Sequence, residues 1–219
     1  MRIGIIGAGN IGTTLTRRLR ALGHEVAVAN SRGPDTLAAL AARTGARAGE
    51  VGDVARDAEL LVVTVPQGRV PDLPADALAG LAPGAVVVDT GNYYPQRDGR
   101  LDGIEEGTPE SRWVEQQLGH PVVKAFNNIQ AQHLLELGRP AGDPQRIALP
   151  VAGDDPDAKA VVLRLVDDLG FDPVDAGGLD GSWRQQPGTP VYATDRDAAG
   201  VRDGLAAANP ERRPEWRAG

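Results

Sequence analysis

The chain opens with an apolar run over residues 2–6 that breaks at once into Gly7-Ala8-Gly9-Asn10-Ile11-Gly12. Ile11, Leu15, Leu19 and Leu22 then recur at helical spacing, and Gly23 closes the segment. A G-x-G-x-x-G spacing is weak evidence alone. Between a strand and a helix it has a physical meaning. Gly7 permits a tight turn, Gly9 lets backbone approach a pyrophosphate, and Gly12 lets helix and strand pack closely. The helix start then offers free N–H groups and the positive end of its dipole to an anion. This order of elements predicts a dinucleotide-binding unit at the N-terminus.

The rest of the chain continues the alternation. Apolar runs at residues 25–29, 59–65, 85–89 and 121–126 read as strands, with a brief one at 46–48. ELLVVTV and AVVVD are near-continuous, as in parallel strands buried on both faces. Helices are expected at residues 36–43, 51–58, 76–81, 110–118 and 130–137, with a polar loop over 90–109. Beyond residue 147 an extended run precedes Asp154-Asp155-Pro156, an N-cap with proline at the first helical position. A helix over 157–169, a strand over 171–175, an irregular stretch over 177–194 and a helix over 197–208 follow. The charged residues 210–219 are expected to fray. The fold class is α/β: a Rossmann-type, doubly wound, mostly parallel sheet with right-handed crossovers. The expected division is a nucleotide-binding domain over residues 1–146 and a small C-terminal lobe over 147–219. No Gly/Ser linker separates them, so the lobe should pack tightly on the main sheet.

Composition removes several function classes. The chain has no cysteine, which excludes disulfides, zinc ribbons, iron–sulfur clusters and thiol catalysis. His24, His120 and His133 are far apart and form no H-x-x-x-H pair, so no dedicated metal site is expected. A net charge of -7 is poorly matched to nucleic acid or an anionic membrane. No apolar run approaches the ~18 residues of a membrane span. The glycine turn interrupts any signal-peptide pattern, so a cytoplasmic location is expected.

The end of the second strand selects the nucleotide. An NAD site usually places Asp or Glu there, to hold the ribose diol. This chain has Asn30-Ser31-Arg32, a hydroxyl and a guanidinium that suit a 2′-phosphate. NADP(H) is therefore expected. The strand ends Thr64-Val65-Pro66-Gln67, Asp89-Thr90-Gly91-Asn92 and Lys124-Ala125-Phe126-Asn127-Asn128 fall on the carboxyl edge of the sheet, where open α/β sheets bind ligands, so each loop is expected to reach the cofactor. Asp89 has two readings, a ligand contact or an orienter of a backbone turn.

Reducing a ketone normally requires an acid near the developing alkoxide. The candidates are Lys124, Tyr93, Tyr94, Tyr192 and the histidines. No Tyr-x-x-x-Lys pair exists, His133 reads as a packing residue, and His24 reads as a partner of a helix C-terminus. Transfer between two bound rings needs no such acid, and its absence favours that class. The stretch SWRQQPGTPVY at 182–192 has two readings, an acceptor wall or a surface loop anchored by its tryptophan.

Together these residues resemble the NADP-binding oxidoreductases typified by NADPH:coenzyme F420 oxidoreductase. The resemblance covers about residues 1–175. It rests on GIIGAGNIG at 4–12, GHEVAVANSR at 23–32, VVTVP at 62–66, VVKAFNNI at 122–129, PVAGDDPDAK at 150–159 and LGFDPVDAG at 169–177. It implies a Rossmann domain with a small C-terminal lobe, and a deazaflavin lying against the nicotinamide in the cleft between them. It also implies that Ala8, Gly9, Asn10 and Ile11 contact the pyrophosphate, and that Ser31 and Arg32 hold the 2′-phosphate. Val65, Pro66, Thr90 and Ala125 would line the ribose and nicotinamide. The 182–192 stretch departs from the F420 reductase pocket. The expected partner is a small-molecule hydride acceptor, first coenzyme F420, then a flavin or a small imine on the same scaffold. An NADP(H)-sensing module without turnover is the reading from another class. A homodimer is expected, because a cleft-bound second cofactor is often closed by a neighbouring subunit.

Overall fold

The structure, a computed structural model, describes residues 1–218. The strands are β1 (Arg2–Ile6), β2 (Glu25–Ala29), β3 (Arg47–Ala48), β4 (Leu60–Val63), β5 (Val86–Asp89), β6 (Val123–Lys124), β7 (Ala148–Val151) and β8 (Asp172–Asp175). The helices are α1 (Asn10–Ala21), α2 (Ala38–Thr44), α3 (Val51–Ala55), α4 (Pro95–Asp98), α5 (Asp102–Glu105), α6 (Glu110–Leu118), α7 (Ala131–Glu136), α8 (Pro156–Asp168) and α9 (Ala198–Ala206). Six strands form one parallel sheet in the order β3-β2-β1-β4-β5-β6. The chain reverses direction of travel across the sheet between β1 and β4, where Ile3 pairs with Val26 on one side and Leu60 on the other. In such sheets the crevice at that switch point receives ligands.

β7 and β8 form a separate parallel pair, with Ala148 opposite Asp172. A single antiparallel bridge joins the pair to the large sheet. Lys124 N–H donates to the Ala152 carbonyl at 2.8 Å, and Ala152 N–H returns the bond at 3.1 Å. Packing ignores the gap between the sheets. One apolar core runs from Ile3, Leu15 and Val28 through Val88, Val123 and Phe126 to Leu149, Leu165 and Phe171. A second core covers the opposite face of the large sheet, with Ile6, Val54, Leu61, Val63 and Val87. α8 is built as its sequence implies: Asp155 accepts the N–H groups of Asp157 and Ala158, and Pro156 occupies the first helical position. No helix among the described residues is long and apolar enough to cross a membrane.

Several elements differ from the sequence reading. Residues 76–81 form successive turns with i→i+3 bonds, such as Ala77 N–H to the Pro74 carbonyl, and a 3₁₀ turn, Gln67–Asp72, precedes them. Pro71 and Pro74 each remove a donor, so no α-helix propagates there. The loop over 90–109 contains α4 and α5, organised around Tyr93, which is fully buried. The Tyr93 hydroxyl has two acceptors for its one proton, the Glu105 carboxylate at 2.8 Å and the Gly99 carbonyl at 2.9 Å. Only two residues of the 121–126 run pair as strand, because Phe126 takes a left-handed backbone (φ 61°) and turns the chain away. The irregular 177–194 stretch contains a 3₁₀ helix, Leu179–Gln185. The tail read as free to fray is seated: Arg212 pairs with buried Glu110 and Trp216 packs on two tyrosines. Residue 219 lies outside the described residues.

Candidate dinucleotide and acceptor cleft

The three glycines of the first turn divide into two roles. A β-carbon on Gly12 would lie 2.0 Å from the Gly7 carbonyl oxygen and 2.8 Å from the Thr64 methyl group. One on Gly7, whose φ is 108°, would lie 2.5 Å from the Thr64 carbonyl oxygen. These two positions are glycine because β1, β4 and α1 meet there. A β-carbon on Gly9 would meet nothing within 4 Å. Gly9 caps α1 with no side chain, and the N–H groups of Asn10, Ile11 and Gly12 have no backbone partner among the described residues. The turn therefore presents open space and unpaired donors together, which fits the pyrophosphate of a dinucleotide.

That surface opens into a cleft of about 730 Å³. Ala8, Gly9, Asn10 and Ile11 line one end, with Thr13 and Thr14 from α1 and Gln130 to Gln132 at the start of α7. Thr90, Asn92, Tyr94, Phe126, Asn127, Asn128, Tyr192 and Ala193 line the other. Among the described residues, no Asp, Glu, Lys, Arg or His lines it, and its titratable groups are the Tyr94 and Tyr192 hydroxyls, which hydrogen-bond to each other. Burial, and then the bond to Tyr94, push the Tyr192 phenol well above its ordinary value, so it stays neutral.

An amide lattice supports the part of the cleft lined by Asn92, Asn127 and Tyr192. Asn127 Nδ2 donates to Asn92 Oδ1 at 3.0 Å and to the Gln185 carbonyl at 2.7 Å. Asn92 Nδ2 donates to the Asn127 carbonyl at 2.8 Å, and Gln185 Nε2 donates to Asn127 Oδ1 at 3.0 Å. Loops from three parts of the chain are locked together by groups that stay uncharged at any physiological pH. Asn128 is also buried, and its Oδ1 has no partner.

The other sequence-predicted residues fall around this cleft. Asn30 Oδ1 accepts the Arg32 N–H at 2.9 Å, an Asx turn that leaves Ser31 and Arg32 exposed at the end of β2. No carboxylate pairs with Arg32 among the described residues. Thr64 packs its methyl and carbonyl against the glycine turn, Val65 joins the apolar clusters, and Pro66 opens the 3₁₀ turn. None of the three lines the cleft. Ala125 is fully buried in the main core, its N–H bonded to the Asp89 carbonyl at 3.1 Å. Asp89 takes the turn-orienting role: it accepts from Gly91 N–H at 2.8 Å and from Ser111 Oγ at 2.6 Å. Lys124 is fully buried beside it and does not face the cleft. His133 lies 2.7 Å from Asp195, outside the cleft, and His24 Nδ1 faces the N-terminal amine.

The sequence gives Thr13, Gln130 and Gln132 no role in the site, whereas Asn92, Asn127 and Asn128 stand in strand-end loops expected to reach the cofactor, and they line the cleft. Thr13 sits one turn into α1, so its nearness to the glycine turn was the available signal. Glu110 is also fully buried, and nothing local in the sequence signals it. Burial pushes its carboxyl up, while Lys124 and Arg212 pull it back.

The chain is similar to several known proteins. A family model described as NADP oxidoreductase, coenzyme F420-dependent, matches residues 2–93. The hypothetical protein SMa0349 from Sinorhizobium meliloti is 33% identical, with a TM-score of 0.73 over 90% of this chain and 95% of that one. A protein from Arthrobacter sp. FB24, provisionally described as an F420-dependent NADP reductase, is 26% identical, with a TM-score of 0.68 over 83% of this chain and 87% of that one. YjhV of Escherichia coli (strain K12) is 53% identical over 60 residues, 27% of this chain and 44% of that protein.

Proposed function

Because the chain belongs to the coenzyme F420-dependent family of NADP oxidoreductases, we propose that it passes a hydride between NADP(H) and a flat ring acceptor, first the deazaflavin F420. The observation that carries this reading is the cleft itself: long, continuous with the glycine turn, and lined by no charged side chain. Such a lining positions rings and leaves proton transfer aside.

Bound NADP(H) supplies the hydride chemistry. The chain's part is binding and alignment. The free amides of Asn10 to Gly12 bind the pyrophosphate, and Ser31 and Arg32 bind the 2′-phosphate. Thr90, Asn92 and Asn127 form the floor, and Tyr94 with Tyr192 forms the wall against which the acceptor lies. Fixing two reactants in contact is worth roughly 7–11 kcal/mol of barrier lowering. A homodimer belongs to the same proposal, since a second subunit would close the open side of the cleft. A monomer mass in light scattering would remove that part.

The test mixes the pure protein with NADPH and, separately, F420, FMN, FAD and a cyclic imine, following NADPH absorbance. F420 is expected to turn over fastest, with deuterium from C4 of NADPH retained in the reduced deazaflavin. Turnover of the imine alone would overturn the ring-acceptor reading. The paired tyrosine hydroxyls favour one second reading, a carbonyl or imine reductase in which they donate the proton. Tyr192→Phe separates the two. A loss of ~10²–10⁴ would mark a general acid, whereas hydride transfer between rings should keep activity within about tenfold.

A further inference from the structure

The last residues of the chain close on one short stretch of the acceptor wall. The Trp216 ring stands 5.8 Å from Tyr94, tilted by 53°, and 6.2 Å from Tyr192, at 73°. Both tyrosines line the cleft and Trp216 does not, so it backs the wall from outside. Gly188 makes room for it: a β-carbon there would lie 2.8 Å from the indole. Arg212 Nη2 donates to Glu110 Oε1 at 2.8 Å, while Glu110 Oε2 accepts the Tyr93 N–H at 3.1 Å. The Arg212 guanidinium also lies 5.1 Å from the Tyr93 ring centre. The Ala218 N–H donates to Glu105 Oε1, the atom that also accepts the Tyr93 hydroxyl. Gln96 Nε2 donates to the Glu215 carbonyl at 2.9 Å. Four residues of the 212–218 segment, Arg212, Glu215, Trp216 and Ala218, thus converge on residues 93–96 or on the carboxylates that hold them.

Tyr93–Gln96 follows directly from the strand end that carries Thr90 and Asn92. Its one cleft-facing ring, Tyr94, is anchored below by the Tyr94 N–H bond to Asp98, and behind by Trp216. Tyr192 comes from a different loop. Besides its hydroxyl bond to Tyr94, the shared aromatic neighbour that fixes its distance from Tyr94 is Trp216. The wall is therefore an assembly of three segments, and the tail residue is the piece they have in common. We infer that Trp216 is a positioning residue for the hydride acceptor: it sets the Tyr94–Tyr192 wall without touching either ligand. The inference rests on the proposed acceptor end of the cleft. It assigns the C-terminal segment to acceptor affinity and leaves the nucleotide end untouched.

The experiment compares the full-length protein with Trp216→Ala, Trp216→Phe and, as a control on the exposed face of the tail, Arg213→Ala. NADPH Kd is measured by titration, KM and kcat with oxidised F420 as the probe, and hydrogen exchange over residues 92–96. Trp216→Ala is expected to raise the F420 KM at least tenfold, with NADPH Kd changed less than twofold and exchange over 92–96 accelerated. Trp216→Phe should recover most of the KM, and Arg213→Ala should match the parent. An unchanged KM with a lowered Tm would make Trp216 merely structural and overturn the inference. An equal loss of NADPH affinity would also overturn it. If the parent does not turn over F420, the acceptor assignment fails separately. The exchange comparison then decides: unaltered exchange over 92–96 in Trp216→Ala refutes the positioning role, and faster exchange confined to that segment supports it.

Discussion

The Lys124 ammonium donates to the Gly91 carbonyl across 2.6 Å, in a site with no solvent exposure for the lysine. Asp89 holds the same residue through the Gly91 N–H, which belongs to the preceding peptide, and lies 3.5 Å from the lysine. The two charges therefore brace the turn that carries Thr90 and Asn92. Removing one partner of a buried charged pair leaves the other uncompensated, at a cost of about 3–5 kcal/mol. Lys124→Met should lose that much stability in denaturant unfolding. An unchanged midpoint would show that the lysine is not structural.

The glycine turn predicts opposite outcomes three residues apart. Gly12→Ala places a β-carbon 2.0 Å from a backbone oxygen that cannot yield. It should lose the fold, or several degrees of Tm, by calorimetry. Gly9→Val meets open space, so it should melt close to the parent yet bind no NADPH, because its side chain fills the pyrophosphate's place. NADPH binding retained by a folded Gly9→Val protein would move the site elsewhere.

Cofactor selectivity should rest on Arg32. A charge-assisted contact to the 2′-phosphate is worth roughly 1.5–3 kcal/mol, so Arg32→Ala should weaken NADPH about ten- to a hundredfold. NADH affinity should barely move. Equal losses for both cofactors in titration would assign the arginine another task.

One pH dependence follows from Asp154. The Leu179 N–H, and next the Arg112 guanidinium, hold its carboxyl below the usual range. A depressed carboxyl stabilises the folded state above its unfolded value of about 3.9, and the contribution fades as pH falls through the native value. The Tm gap between the parent and Asp154→Asn should therefore be open at pH 7 and start to narrow only as pH falls below about 4. A gap that does not narrow at all as acid is added down to the loss of the fold would show that the effect is not ionic.

The parts of this molecule that the sequence made legible are those whose cause is local. The G-x-G-x-x-G turn and the Asp155 cap each depend on neighbours within a few residues. The same is true of the buried strands Leu60–Val63 and Val86–Asp89, whose apolar runs have one sensible placement. What stayed hidden depends on distant pairing. Glu110 looks like an exposed first-turn acid until Arg212, 102 positions away, is folded against it. Tyr94 and Tyr192 appear as separate acid candidates, and only the fold makes them a wall. The truncation of the 121–126 run turns on Phe126, whose left-handed backbone no propensity would assign to a bulky residue.

The bridge between Lys124 and Ala152 has a mechanical consequence. It is two hydrogen bonds long, but the core beneath it is shared, so swinging the C-terminal segment outward would tear apolar contacts on both sides. The cleft is thus a slot cut into one welded body, and it has no jaws. The whole chain should melt as a single cooperative unit, with equal calorimetric and van't Hoff enthalpies.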